Sequence, residues 1–179
     1  MYRAFAPAVL LVLVAASAAA CSSNAAVPAS SGAASSVAPA AATTASAQPV
    51  ALTADQVIAK FKAAKLPVGS VLVFTAANDP NHLLGRPNGY VSKDSWTDTR
   101  VSPDQAKDTT PGSVDLGGSV EVFATAAQAQ ARETYIQGIL KADPMLGTEY
   151  DYVVGDALIR VSQVLTPAQA QAYDAAAQG

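Results

Sequence analysis

The sequence has one cysteine, one histidine and one tryptophan, and these shortages exclude several kinds of protein. A single cysteine cannot form a disulfide within the chain, so no disulfide framework holds the fold. Zinc sites use several nitrogen or sulfur ligands, which His82 and Cys21 alone cannot supply. A glycine-rich phosphate loop is also missing, because Gly117 and Gly118 precede a strand pattern and no helix pattern follows them. We therefore expect no metal and no cofactor.

Catalytic arrangements are equally scarce. Cys21 lies outside the predicted domain, and a serine triad would have to use His82, which no Gly-x-Ser-x-Gly elbow accompanies. A lone histidine in a polar loop is typical of a solvated turn. Acid pairs such as Asp94 with Asp98 lack the glycine-centred loop of a recognisable calcium site. We predict no catalytic residue, and a protein that is not an enzyme.

The N-terminus has the three parts of an export signal. Arg3 and the α-amino group form the positive end, Ala4 to Ala16 form the apolar middle, and Ser17 to Ala20 form a small-residue cleavage region. The uncharged run before Cys21 is shorter than the roughly 20 apolar residues of a membrane-spanning helix. We predict a signal peptide over residues 1–20 that is removed.

Cys21 bears on how that signal is cut. Ala18 and Ala20 satisfy the small-x-small rule of ordinary secretion, whereas small residues that end in cysteine resemble the lipobox of bacterial lipoproteins. The resemblance implies that the sulfur of Cys21 takes a diacylglycerol and that cleavage leaves Cys21 as the first residue. The two acyl chains of the diacylglycerol satisfy the requirement for stable anchoring, and the resemblance also allows acylation of the new amino group. The alternative is a freely secreted protein with a chance cysteine.

The next segment carries no charge. Residues 22–49 contain 11 alanines, seven serines, three prolines and two threonines. This composition cannot bury a core and is typical of a disordered tether. With Cys21 it makes residues 21–49 a lipidated linker, either a plain spacer or one decorated with sugars. Residues 50–179, which hold every charge except Arg3, are predicted to form a single globular domain.

Charge limits the partners of that domain. Without Arg3 the chain has ten basic and 14 acidic residues, a net charge of −4. Lysine and arginine form no cluster, which argues against nucleic acid and against electrostatic docking on anionic lipid. Membrane attachment would then depend on the lipid alone, and we expect a monomer.

A recurring capping phrase predicts where helices begin. Thr53, Thr125 and Thr166 each stand three residues before a glutamine, which allows reciprocal capping of backbone N–H groups. Apolar spacing predicts helices to about Lys65, about Ala142 and about Ala177. In the second helix the inward face is expected to consist of Tyr135, Ile136, Ile139 and Leu140.

Short apolar or alternating runs predict strands between these helices. They are Ser70–Thr75, Gly118–Phe123, Tyr150–Val154 and Ala157–Ser162. The nearly continuous apolar character of the first run favours a central place in the sheet. The last two are expected to form a hairpin through Gly155 and Asp156. The order predicts an α+β fold with an antiparallel or mixed sheet of about four to five strands and about three helices packed mainly on one face.

The connection 76–116 is the segment where function is expected, because long loops in compact domains commonly bind something or are disordered. Pro87, Asn88 and Gly89 predict a turn that lets residues 83–84 and 90–91 pair as a small hairpin. The candidate ligand or partner surface consists of His82, Arg86, Tyr90, Trp96 and Arg100. The alternative is structural: the two aromatic residues cap the core, and the two arginines pair with Asp94 or Asp98.

Several phrases resemble small lipoproteins of high-GC Gram-positive bacteria. They include Leu84-Gly85-Arg86-Pro87-Asn88-Gly89-Tyr90 and Leu165-Thr166-Pro167-Ala168-Gln169-Ala170, which follow a lipobox-like signal and a tether. The resemblance implies the extracytoplasmic face of a cell membrane, with no established activity. The function expected first is a non-catalytic binding module for an envelope protein, wall polymer or small ligand. The alternatives are an inhibitor or accessory subunit of a membrane complex, and a freely secreted hydrolase.

Overall fold

The computed structural model describes residues 52–179. The predicted signal peptide, Cys21 and the linker to residue 49 lie outside these residues. Three α-helices and five strands follow one another in these residues, with short 3₁₀ turns between some of them. Their order is α1 (Ala54–Ala63), β1 (Val68–Val73), β2 (Ser92–Asp98), β3 (Gly117–Val122), α2 (Ala126–Ala142), β4 (Glu149–Val154), β5 (Ala157–Ser162) and α3 (Pro167–Gln178). No helix of residues 52–179 has the length and apolar character that crossing a membrane requires.

The three threonine caps are confirmed. Thr53 and Thr166 each form a full capping box with the glutamine three residues on. Thr125 accepts a hydrogen bond from the backbone N–H of Gln128. Each cap satisfies backbone donors that the first helical turn leaves without an intrahelical partner. The local sequence therefore determines where all three α-helices of the described region begin.

The α+β class is confirmed, and the sheet, expected to be antiparallel or mixed with about four to five strands, is antiparallel with five. The strand order is β1-β2-β3-β5-β4, and every neighbouring pair is antiparallel. The β4–β5 hairpin turns at Gly155, whose φ of +60° is readily adopted by glycine.

The two faces of the sheet differ sharply in polarity. On one face α1 and α3 cover the main core. Phe61 of α1 and Tyr173 of α3 pack there with Trp96, and the sheet adds Val120, Val122, Ile159 and Val161. On the other face α2 packs on β4 and β5 through a smaller cluster that includes Ile136 and Leu158. Two of the three helices thus share one face, as expected, and the third packs on the opposite face.

The sequence does not predict β2, because the residues of this strand fall within the long connection 76–116. Its residues read Ser-Lys-Asp-Ser-Trp-Thr-Asp, and Lys93, Asp94 and Asp98 are buried despite their charge. A strand of this kind depends on partners far away in the chain, so neither alternation nor strand propensity reveals it.

The predicted central position of the first apolar run is wrong. β1 is an edge strand, and Val73 is 50% exposed. Its apolar character has a different cause, because Val68 and Val71 contact the main core while Leu72 faces a pocket on the opposite side of the sheet. Both faces of this edge strand are therefore partly covered.

The small hairpin predicted within residues 83–91 is also absent from the described structure. The segment consists of turns, although Asn88 does adopt the expected positive φ of 62°. The N–H groups of Leu83 and Leu84 donate to the carboxylate of Asp79, and this competes with strand pairing.

The inward face predicted for the second helix is half right. Ile136 is buried and Leu140 packs on the smaller cluster, but Tyr135 and Ile139 are exposed. α2 lies over a largely polar part of the sheet, so a narrow apolar stripe is enough to hold it.

Candidate binding site

The structure does not bring the five candidate residues together on one surface. Tyr90 and Trp96 are buried in separate clusters, whereas His82 and Arg86 are exposed. Arg100 lies at the surface beside Asp98. The structure therefore places the two aromatic residues in the core, as in the structural alternative, and leaves only His82, Arg86 and Arg100 of the five at the surface.

Trp96 is the centre of the main core. Its ring lies 5.1 Å from Phe61 and 4.9 Å from Tyr173, measured between ring centroids. Asp98 accepts hydrogen bonds from the Tyr173 hydroxyl at 2.6 Å and from Arg100 at 2.6 and 2.9 Å. Burial alone would raise the pKa of Asp98, but these two partners hold it below its ordinary value. The expected pairing of Arg100 is confirmed, and its role is structural.

Tyr90 belongs to a buried polar cluster around Asp79. The Asp79 carboxylate accepts hydrogen bonds from Tyr90 at 2.5 Å, Lys93 at 3.1 Å and the backbone N–H groups of Leu83 and Leu84. Burial would raise the pKa of Asp79, yet the hydrogen bonds and the lysine charge hold it well below its usual range. Lys93 is 5% exposed and lies 4.4 Å above the ring of Phe74. This cluster fixes the 79–84 turn onto β2.

Asp94 does not pair with an arginine. The carboxyl of Asp94 projects from β2 towards Asp55 in the first turn of α1. Burial, and then the neighbouring carboxyl of Asp55, raise the pKa of Asp94 to about 7. Arg86 forms no ion pair with any residue of the described region. The pairing expected for Arg86 is therefore wrong.

A chain of ion pairs runs across the face of the sheet that α2 covers. Glu121 is fully buried on β3 and meets Arg132 of α2 at 2.9 Å and Arg160 of β5 at 3.5 Å. Arg160 in turn holds Glu149 through two hydrogen bonds of 2.6 and 2.8 Å. Every charge in this chain has an opposite neighbour, which buried ions require. These ion pairs hold α2 on the polar face of the sheet.

Asp151 lies beside the ion pair of Glu149 and Arg160. It also lines a shallow acidic depression of about 290 Å³ between α2 and β4. Burial, and then the nearby charge of Glu149, raise the pKa of Asp151 to about 8, although the Gln137 amide and Arg160 act against the rise. The carboxyl is therefore mostly protonated at neutral pH. The depression presents acidic and tyrosine side chains without an enclosed space.

An apolar pocket lies on the same face of the sheet, at the end that α2 leaves uncovered. Its volume is about 250 Å³. The floor is formed by Leu72 of β1 and Ser95 of β2, and the wall by Pro111, Gly112 and Leu116 of the loop that leads into β3. No charged residue lines it, and the remaining lining is completed by Ser70, Val71, Trp96, Thr97 and Ser113.

The loop that closes this pocket is held by its own polar groups. The Asp115 carboxylate accepts hydrogen bonds from the backbone N–H groups of Lys107 and Asp108 at 3.1 and 3.0 Å. The Ser113 hydroxyl accepts from the N–H of Asp115 at the start of a short 3₁₀ turn. Gly112 has a φ of +91°, and a Cβ there would lie 2.7 Å from the ring of Phe74. The pocket is therefore pre-formed by a turn that requires glycine.

The chemistry available to the described residues is recognition by shape and polarity. No group of three or more histidine, aspartate or glutamate residues is placed to hold a metal within residues 52–179. His82 has a positive φ of 52° and lines neither the apolar pocket nor the acidic depression. Trp96 is the one pocket-lining residue that the sequence analysis names as a candidate site residue. The other lining residues are not predicted as such, and the only local signal for them is the Pro111-Gly112-Ser113 turn.

Comparisons of the chain with models of known protein families, with curated proteins and with solved structures found no match.

Proposed function

We propose that this chain is a lipid-anchored, extracytoplasmic binding module of the cell envelope. It holds an apolar group in the pocket formed by Leu72, Ser95, Pro111, Gly112 and Leu116 (the β1–β2 pocket). The observation that carries the proposal is this pre-formed apolar pocket, lined by no charge and by no histidine. The location rests on Cys21 and the lipobox resemblance of the residues before it.

The size of the pocket indicates the kind of group it takes. An engineered protein cavity of about 150 Å³ holds a benzene molecule, and pockets for drug-sized ligands begin at about 300 Å³. The β1–β2 pocket, at about 250 Å³, lies between these values. It suits one branched aliphatic or aromatic group, with the hydroxyls of Ser95 and Ser113 available in its lining for a polar contact.

Methyl NMR of the mature chain, residues 21–179 with Cys21→Ser, tests this function. Benzene and indole are titrated as probes while the methyl signals of Leu72 and Leu116 are followed. We expect saturable shifts of both. Ser95→Leu fills the pocket with an isobutyl group and should abolish them, while Thr134→Leu, a matched change on the exposed side of α2, should leave them intact. Unchanged Leu72 and Leu116 signals at saturating probe would refute the proposal.

A second candidate, an accessory subunit of a membrane complex, is favoured by one separate observation. Four large apolar side chains are exposed on α2 and the 3₁₀ turn after it: Tyr135, Ile139, Met145 and Leu146. Met145 is 85% exposed. Exposed apolar groups in proximity are typical of protein contact surfaces. Tyr135→Ser with Ile139→Ser should release the chain from a detergent-extracted complex under this function, and should have no effect under the first.

A further inference from the structure

We propose that the outer edge of β1 binds an uncharged, extended peptide segment of another protein by strand addition, with one apolar side chain of the peptide seated in the β1–β2 pocket. This inference rests on the proposed function, because it uses the same pocket. It adds the class of ligand and the way its backbone is held.

The register of β1 shows which backbone groups face outward. The N–H of Phe74 donates to the carbonyl of Lys93 at 3.0 Å, and the same register pairs Leu72 with Ser95. Because antiparallel pairs alternate between bonded and non-bonded positions, the N–H and C=O groups of Val71 and Val73 point away from β2. Within residues 52–179, neither N–H donates to a backbone carbonyl outside the β1–β2 ladder.

The two edges of the sheet are protected differently. β4, at the far edge, carries Glu149 and Asp151, and charged residues discourage pairing at an edge. β1 reads Val-Gly-Ser-Val-Leu-Val and carries neither charge nor proline. One irregularity in its pairing with β2 lies near its start, between Val68 and Val71, and leaves the stretch 71–73 regular. The edge of β1 is therefore the one open to strand addition.

The pocket lies where such a strand would place a side chain. Leu72 forms part of the pocket floor, and a peptide residue opposite it would point to the same face of the sheet. That residue would occupy a non-hydrogen-bonded pair, in which Cβ atoms approach to about 4.5–5.5 Å. Backbone bonds at Val71 and Val73 would supply affinity, and the pocket would select the side chain between them.

Charge complementarity defines the peptide. Neither β1 nor the pocket lining carries a charged side chain. A charged peptide residue at this position would lose hydration without gaining an opposite charge, which is unfavourable. The complement of this edge is therefore a neutral segment with a leucine, isoleucine or phenylalanine at the central position.

The test uses a short acetylated and amidated peptide of alternating threonine and valine with leucine at its centre, titrated by calorimetry into the mature chain with Cys21→Ser. Val73→Pro removes an outward N–H without losing a bond to β2, and should weaken binding at least about tenfold. Val73→Lys is the second edge variant, in case proline disturbs folding. The matched control peptide carries N-methyl groups on alternate amides, which block strand pairing but retain every side chain, and should not bind.

The outcomes separate this inference from the proposed function. Binding that is lost with Val73→Pro, Val73→Lys and N-methylation, while benzene still shifts the pocket methyls, supports strand addition. Equal binding of the N-methylated peptide, or no peptide binding while benzene binds, overturns strand addition and leaves the pocket function standing. Sedimentation that shows a dimer dissociated by Val73→Lys would overturn it in favour of a second copy. Peptide binding that appears only when residues 22–49 are deleted would overturn it in favour of the chain's own linker.

Discussion

The Asp79 cluster allows a quantitative prediction about what holds the 79–84 turn in place. Asp79→Asn keeps the shape of the side chain but removes the charge that compensates Lys93, which is 5% exposed. Breaking a buried ion pair from one side costs about 3–5 kcal/mol, because the remaining charge has no partner. The N–H groups of Leu83 and Leu84 also lose a charged acceptor, and such bonds contribute about 1.5–3 kcal/mol each without being additive. We expect a total loss of about 3–5 kcal/mol.

The reverse substitution should cost much less. In Lys93→Met the Asp79 carboxylate retains the Tyr90 hydroxyl and the backbone donors of residues 83 and 84. An anion that keeps these three hydrogen bonds is better compensated than an ammonium group left without an anionic partner, whose remaining contacts are the Tyr90 hydroxyl at 3.3 Å and the rings of Phe74 and Tyr90. We expect a loss of about 1–2 kcal/mol, and the double variant should recover about 2 kcal/mol relative to Asp79→Asn alone.

Urea unfolding of the four proteins, followed by tryptophan fluorescence, measures these differences. The folded pKa of Asp79 lies below its ordinary value of 3.8, so the stabilisation by the carboxylate is complete above about pH 4 and is lost as pH falls below it. The difference in free energy of unfolding between wild type and Asp79→Asn should therefore become smaller as the pH falls below about 4. Two results would show that the Asp79 carboxylate does not hold this turn in place. One is a loss under about 1 kcal/mol for Asp79→Asn, and the other is a loss for Lys93→Met that exceeds the loss for Asp79→Asn.

Three further predictions concern other parts of the fold. The raised pKa of Asp151 means that the folded state binds an extra proton between about pH 4 and 8, so stability falls as pH rises through that range. Asp151→Asn should flatten this dependence in thermal melts and stabilise the chain at pH 8 by about 1–3 kcal/mol; an unchanged pH profile would contradict it. Gly112→Ala should lower the free energy of unfolding by about 1–3 kcal/mol, because it combines a positive φ with a clash at Phe74; an unchanged urea midpoint would contradict it. Tyr173→Phe removes the hydrogen bond to Asp98 and should cost about 1–3 kcal/mol by urea unfolding, whereas Tyr152→Phe, on partly exposed β4, should cost less than about 0.5 kcal/mol.

Much of the fold follows from local sequence. The threonine caps predict all three helix starts because a cap needs only its own residue and the glutamine three positions on. The β4–β5 hairpin is predicted for the same reason, since its turn lies at Gly155 and Asp156 between two alternating runs.

The parts that local sequence does not predict depend on distant partners. β2 buries Lys93 against Asp79 and Asp98 against Tyr173, which is 75 residues away in the chain. Such a strand looks polar until its partners are known. The edge position of β1 is not predicted either, because its apolar sequence is typical of a central strand. Leu72 is apolar because it faces a pocket that a loop about 40 residues later helps to form. Of the five candidate residues predicted in the segment 76–116, Tyr90 and Trp96 belong to the core, while His82, Arg86 and Arg100 lie at the surface.

The central claim, an anchored envelope module, is tested most directly by the intact mass of the N-terminal peptide of the mature protein from membranes of its native host. If the chain is anchored by lipid, this peptide begins at Cys21 and carries the mass of a diacylglycerol. Cys21→Ala should lose that mass and be released to the medium. A peptide from the culture fluid that begins with unmodified Cys21 or with Ser22 would show that the protein is freely secreted and carries no lipid anchor.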